Sequence, residues 1–435
     1  MFKFHVFNIS FIIFLLACNI TCAQNLFYFN SGSYELSEDA KKKLDLLITD
    51  LKSDADYREL KIVGHTDSDG DSDKNYKLSI NRSKAVMNYL LEKNVANQFH
   101  LVGKGESDPF SSSLSYNQKA KNRRVEIIRV GERNTTIFEK ENLQFFEINN
   151  SKDTVITGNQ ETKIWIRKNS FHNMSSDSPI IIELREFYDK SSFMKNNLTT
   201  LTTSNNILES AGMIHIKVVQ NKKELQLKPE CRIGVSFRNR SSNDNMELFN
   251  GLVRNGEVIW NDEENTSRVL APEIDIRSFD VPVLRESNAI DTVASTSPRT
   301  QLTPESEESE FNSALTRNLI LRSSKLGWIN CDRFLQEKNF KEVIIEIDEN
   351  IEPNISLVFT DINAVLPYSY RIENTYVFHR VPLNYKVHVL GISKKKGQQN
   401  LMFAKIFYNT ATGKPPHLVF SEKTIKEVKK ELEDL

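Results

Sequence analysis

The stretch Leu60-Lys61-Ile62-Val63-Gly64-His65-Thr66-Asp67, followed by Asn75-x-x-Leu78-Ser79-x-x-Arg82-x-x-x-Val86, decides how this chain is read. Leu60 to Val63 is a short apolar run of strand length, and Asp67 to Lys74 is a polar loop. From Asn75 to about Lys93 the apolar spacing predicts a helix. Arg82 then stands two turns into that helix, and Asp67 sits at the mouth of the strand. A loop acid and a helix base fifteen positions apart can face one zwitterion. That is the chemistry of a ligand site rather than a reaction centre.

The acids Asp67, Asp69, Asp71 and Asp73 also invite a calcium reading. An EF-hand loop needs glycine at its sixth position and glutamate at its twelfth, whereas here Gly70 is fourth and Leu78 twelfth. No metal site is expected. Outward from this core, Leu26 to Phe29 reads as a strand, and Ser37 to Leu51 as a helix with Ala40, Leu44, Leu47, Ile48 and Leu51 on one side. Ser37 suits the N-cap, with Glu38 and Asp39 where the helix dipole favours negative charge. Strand, helix, strand, helix and strand follow, the pattern of an α/β sandwich.

Four motifs recur in order: Gly64-His65-Thr66-Asp67, Asn75-x-x-Leu78-Ser79-x-x-Arg82, Gly103-x-Gly105-Glu106-x-x-Pro109 and Asn122-Arg123-Arg124-Val125-Glu126. In these residues the chain resembles the OmpA-like peptidoglycan-binding domain family, over residues 25 to 130, under a third of its length. The resemblance implies a site for diaminopimelate, whose free end carries an ammonium and a carboxylate on one carbon. Asp67 would accept from the ammonium, and the planar fork of Arg82 would meet the carboxylate. Asn75 is carried over as a loop and ligand-positioning residue, and Arg124 (or Arg123) as a further basic contact. Asn30 stands where the family often has Asp, so it could hydrogen-bond but adds no negative charge. His65, Asn122 and Arg123 are read as structural.

The chain has 435 residues, more than one core normally serves, so two to four domains are expected. Lys plus Arg is 57 against 58 for Asp plus Glu, and without a basic surplus a nucleic-acid partner is not expected. Residues 1–23 read as a signal peptide cleaved after Ala23. The alternative is a lipoprotein box, Leu15-Leu16-Ala17-Cys18, with lipidation at Cys18. Cys231 and Cys331 are read as buried free thiols.

Beyond residue 132 the helical period gives way to strand-length runs. The expected fold class is multidomain α+β: an OmpA-like α/β sandwich at 24–131, followed by two mainly β, sandwich-like domains at 132–284 and 317–435. Residues 285–316, rich in Ser, Thr, Glu and Pro, read as a flexible linker. Thr424 and Glu427 predict a capping box opening a C-terminal helix.

With no acid pair or metal cluster identifiable, no catalytic residue is assigned and no cofactor is expected. The reading is a non-catalytic, exported cell-envelope protein that binds the diaminopimelate-containing peptide stem of peptidoglycan and anchors or positions its β-domains. Another envelope protein is a candidate partner for those β-domains, and membrane attachment would come only through a lipid anchor. The expected location is the periplasm, or the periplasmic face of the outer membrane, of a Gram-negative cell. The alternative is an adhesion or envelope-assembly module in which the first domain only localises the β-domains.

Overall fold

A computed structural model describes residues 25–53, 59–95, 98–110, 115–130, 138, 142–172, 178–238, 246–254, 257–262, 320–347, 351–394, 399–413, 415 and 417–435. The leader expected at 1–23, with Cys18, and the linker expected at 285–316 lie outside these residues.

The first part runs β1 (Leu26–Tyr28), α1 (Glu38–Ser53), β2 (Glu59–Gly64), α2 (Ser72–Glu92), β3 (Phe99–Gly103), α3 (Tyr116–Asn122) and β4 (Arg124–Val130). β4 is antiparallel to both β1 and β2, and β3 runs parallel to β2. Leu44, Leu47 and Leu51 of α1, with Val86, Met87 and Leu90 of α2, pack against Phe27, Leu60, Ile62, Leu101, Val125 and Ile127 of the sheet. Ser37 caps α1 as its sequence suggests, its Oγ accepting from the Ala40 amide at 3.2 Å. α2 begins three residues before the expected Asn75, because the Asp71 carboxylate accepts from the amides of Asp73 and Lys74, each at 3.1 Å. The acid that hinted at a cation loop is a helix cap.

Two further sheets form a sandwich. The larger orders Gln144–Ile148, Ile180–Phe187, Leu208–Gln220, Gly327–Phe334, Glu247–Arg254, Glu257–Asn261 and Leu198–Thr202. The smaller orders Ile320–Ser323, Ile233–Ser236, Lys163–Ile166 and Thr154–Thr157. Ile156, Ile164, Ile182, Ile214, Val218, Val235 and Ile329 fill the space between them. The division expected at residue 317 therefore needs correction, since Ile320–Ser323 and Gly327–Phe334 complete this sandwich rather than the last part. A period of two marks a strand but leaves its partner unspecified. Cys231 and Cys331 are free thiols at this core.

The last part holds a five-stranded sheet, Val365–Pro367, Asn354–Phe359, Lys386–Ser393, Leu401–Asn409 and Ser421–Lys423. Its other three strands leave it and extend the first sheet. Tyr370–Ile372 pairs in parallel with β3, in the register Tyr370 to Phe99, Arg371 to His100 and Ile372 to Leu101, and Thr375–Pro382 and Phe340–Glu346 follow outward. One seven-stranded sheet thus crosses what reads in sequence as separate modules. The C-terminal helix, Ile425–Glu433, opens on the expected Thr424–Glu427 capping box. It joins Phe193, Met194 and Leu198 of the sandwich to Leu401 and Phe403 of the last sheet through Val428 and Leu432.

At the seam, Arg371 is buried and donates through Nη2 to Glu59 Oε1 at 3.1 Å and to Glu352 Oε1 at 3.0 Å, with His100 Nδ1 at 3.0 Å. Glu59 is 2% exposed, so the pair is shielded from water. Removing one member of such a pair costs about 3–5 kcal/mol, because the other charge is left buried and uncompensated. Arg371→Met should lower the unfolding free energy by about that amount. The double variant with Glu59→Gln should lose less, measured by urea denaturation of the whole chain.

Candidate functional site

The glycines of the motifs become geometry where α2 crosses the end of the sheet. A Cβ on Gly64 would run into the Ser79 carbonyl, so the strand lies against the helix only because no side chain intervenes. Gly105, at φ +51°, turns the loop after β3 toward the first turns of α2, where its amide donates to Ser79 Oγ at 3.1 Å. The Gly105 carbonyl accepts from the Thr66 amide at 2.8 Å, which fixes the loop carrying Asp67. Asn75 ties the same two loops together, donating to the Asp67 carbonyl at 3.4 Å and to Glu106 Oε2 at 2.5 Å. Asn75 thus clamps the two loops, and Glu106, quoted in the third motif, is its unforeseen partner.

Arg82 is placed differently from expectation. Its side chain is fully buried and donates to three main-chain carbonyls: Nε to Ser33 at 2.9 Å, Nη1 to His65 at 2.7 Å and Nη2 to Asn30 at 3.0 Å. The guanidinium also lies over the Phe29 ring, 5.4 Å from its centroid. Asn30 contributes its carbonyl to this arrangement while its side chain faces solvent, so the Asp-to-Asn departure noted in the sequence does not touch it. Burial pulls the Arg82 pKa down to about 10, with nearby Asp67 opposing and Arg123 reinforcing the shift, and it remains a cation at neutral pH.

Asp67 pairs with Arg123, not with Arg82. Arg123 Nη1 lies 2.9 Å from Asp67 Oδ2, Nε donates to the Phe29 carbonyl at 3.1 Å, and both residues are less than a tenth exposed. Asp67 and Arg82, expected to face one zwitterion, thus each have partners within the chain. Arg124, the favoured basic contact, belongs to a neighbouring cluster: Nε donates to Glu126 Oε1 at 2.7 Å, and the Phe110 ring centroid lies 5.4 Å from its guanidinium carbon. Arg123 caps α3 while Arg124 opens β4, so the two adjacent side chains join different ion pairs. Arg124 Nη1 and Thr66 Oγ1 are buried without a hydrogen-bond partner among the described residues. Such orphaned groups cost free energy unless an outside acceptor or donor meets them.

His65 is 1% exposed, and burial, aided by the Arg124 cation, pulls its pKa down to about 4. Burial, aided by Arg371, does the same to His100 at the seam, again to about 4.

The model of the OmpA family matches residues 28–123. Outer membrane protein A of Bordetella avium is 34% identical over 107 residues, 24% of this chain and 55% of that protein. The peptidoglycan-associated lipoprotein of Pseudomonas aeruginosa is 35% identical over 102 residues, 23% of this chain and 60% of that protein. The crystal structure of the peptidoglycan-associated lipoprotein of Burkholderia pseudomallei aligns at 27% identity with a TM-score of 0.23, over 24% of this chain and 90% of that one. The chain therefore spans little more than half the length of the curated relatives it matches. Both β-rich parts lie outside the stretch that matches the family.

Two outcomes follow from the buried groups. Lysine cannot reproduce a three-way fork, so Arg82→Lys leaves carbonyls unmet at about 1–3 kcal/mol each. A fall in thermal midpoint should report it. For the histidines, the folded pKa lies below the ordinary 6.5. The unfolded chain therefore binds more protons between pH 6.5 and about 4, and stability falls as pH drops through that window. His100→Gln should flatten the decline in thermal midpoint from neutral to acid pH relative to wild type.

Proposed function

We propose that residues 25–130 bind the peptide stem of peptidoglycan and that the protein is a non-catalytic anchor of the bacterial envelope, carrying its β-rich parts to the wall. The observation that carries this reading is the acid of the Gly64–Asp67 motif, set beside two buried guanidinium groups in the stretch that matches the OmpA family. Relatives named peptidoglycan-associated lipoprotein support it. So does the pair of polar atoms, Arg124 Nη1 and Thr66 Oγ1, buried without a hydrogen-bond partner among the described residues.

In this reading Asp67 accepts from the ammonium of diaminopimelate, and the ligand's carboxylate enters the field of Arg82 and Arg123. Arg82 also acts as a positioning residue, since its three bonds hold the loop after β1 and the end of β2 in register. Export through the leader at 1–23 places the chain in the periplasm or at the inner face of the outer membrane. The shared seven-stranded sheet keeps the wall-binding part and the β-rich parts in one orientation, which favours anchoring over a loosely tethered adhesion module.

The test is co-sedimentation of the full chain with purified peptidoglycan, competed by free diaminopimelate. A hydrogen bond to a charged group contributes about 1.5–3 kcal/mol, so Asp67→Asn should weaken binding about tenfold or more. Circular dichroism must show the variant folded. Wild-type retention by the folded variant would overturn the assignment.

A further inference from the structure

Each cation of the site holds an aromatic ring, or a segment bearing one, out into solvent. Tyr116, the first residue of α3, is 79% exposed, and its ring centroid lies 5.9 Å from the guanidinium carbon of Arg123, the partner of Asp67. Phe110 is 57% exposed and lies over Arg124. Tyr34 is 52% exposed and follows Ser33, whose carbonyl is held by Arg82. Large aromatic groups left in water beside a charged centre mark a contact surface rather than a core. The arginines behind Tyr116 and Phe110 are themselves buried, so the rings are backed on one face and open on the other.

We propose that Tyr116 and Phe110, with Tyr34, form a stacking surface for the pyranose rings of a glycan strand, next to the charged site that takes the stem. The proposal rests on the stem-binding reading and adds the part of the polymer that the charged residues cannot recognise. A sugar ring presents a flat face of C–H groups, which suits the electron-rich face of an aromatic ring. Chain length supports the placement: at about 3.3–3.6 Å per extended residue, a stem of three residues sets its sugar roughly 10 Å from the diaminopimelate end. Tyr116 stands one guanidinium outward from the Asp67 carboxylate, on that scale. Each stacked ring contributes little alone, and the repeating strand multiplies it.

The experiment uses the full chain and two probes: glycan strands stripped of their stems by an amidase, and the free tripeptide stem. Wild type should bind the stripped strands weakly, and Tyr116→Leu with Phe110→Leu, which keeps apolar bulk but removes the flat faces, should weaken that binding at least fivefold. The same double variant should bind the tripeptide as wild type does, while Asp67→Asn should lose the tripeptide and keep the stripped strands. Absence of wild-type binding to stripped strands, or equal binding by the double variant, overturns the stacking proposal without touching the stem site. Loss of tripeptide binding by the double variant would also overturn it, since the rings would then be supporting the charged centre. Failure of wild type to bind the tripeptide would count against the stem reading alone.

Discussion

The parallel pairing of β3 with Tyr370–Ile372 is the contact on which the arrangement of the whole chain rests. Three residue pairs would be a slight connection in themselves, and their strength comes from what surrounds them. Tyr370 and Val377 enter the apolar core of the first part, and Arg371 meets two carboxylates, one of them almost fully buried. A second apolar cluster joins the sandwich to the last sheet through Phe193, Leu198, Leu401, Val428 and Leu432. With hydrophobic contact on one side and a committed charge on the other, the parts cannot pivot freely without exposing apolar area or stranding Glu59.

The same economy governs the site. Arg82 gives its hydrogen bonds to carbonyls of the loop after β1 and the end of β2, and Asn75 ties the loop after β2 to the loop after β3, so the segment that carries Asp67 is fixed through its backbone. The proposed ligand would meet a centre whose charges are already fixed in position, which lowers the ordering cost of binding. Arg123 completes the centre by orienting the Asp67 carboxylate through an ion pair at 2.9 Å.

Much of the helix and loop structure was legible because its determinants are local. Ser37 and Thr424 each announce a helix through a bond spanning three residues, and the motif glycines announce a close approach. Asp67, Asn75 and Arg82 were recognisable as a group, but their partners were not. Arg82 bonds to carbonyls, which any residue supplies, so nothing in the identities of Asn30, Ser33 or His65 betrays the contact. Choosing between Arg123 and Arg124 required knowing which way β4 faces at its first residue. The partners of Gly327–Phe334 and Tyr370–Ile372 were hidden for a different reason, because the pattern of a strand records which face is buried and not which edge it joins.

That long-range pairing has a bearing on biogenesis. His100 and Arg371, neighbours in space, are 271 positions apart. While the chain emerges amino-terminus first, β3 presents an unsatisfied row of amides and carbonyls until nearly all of the polypeptide has arrived, an invitation to pair with strangers. Closing so distant a contact is slow. A chaperone that shields nascent edges would therefore guard the interval between making the first core and capping it.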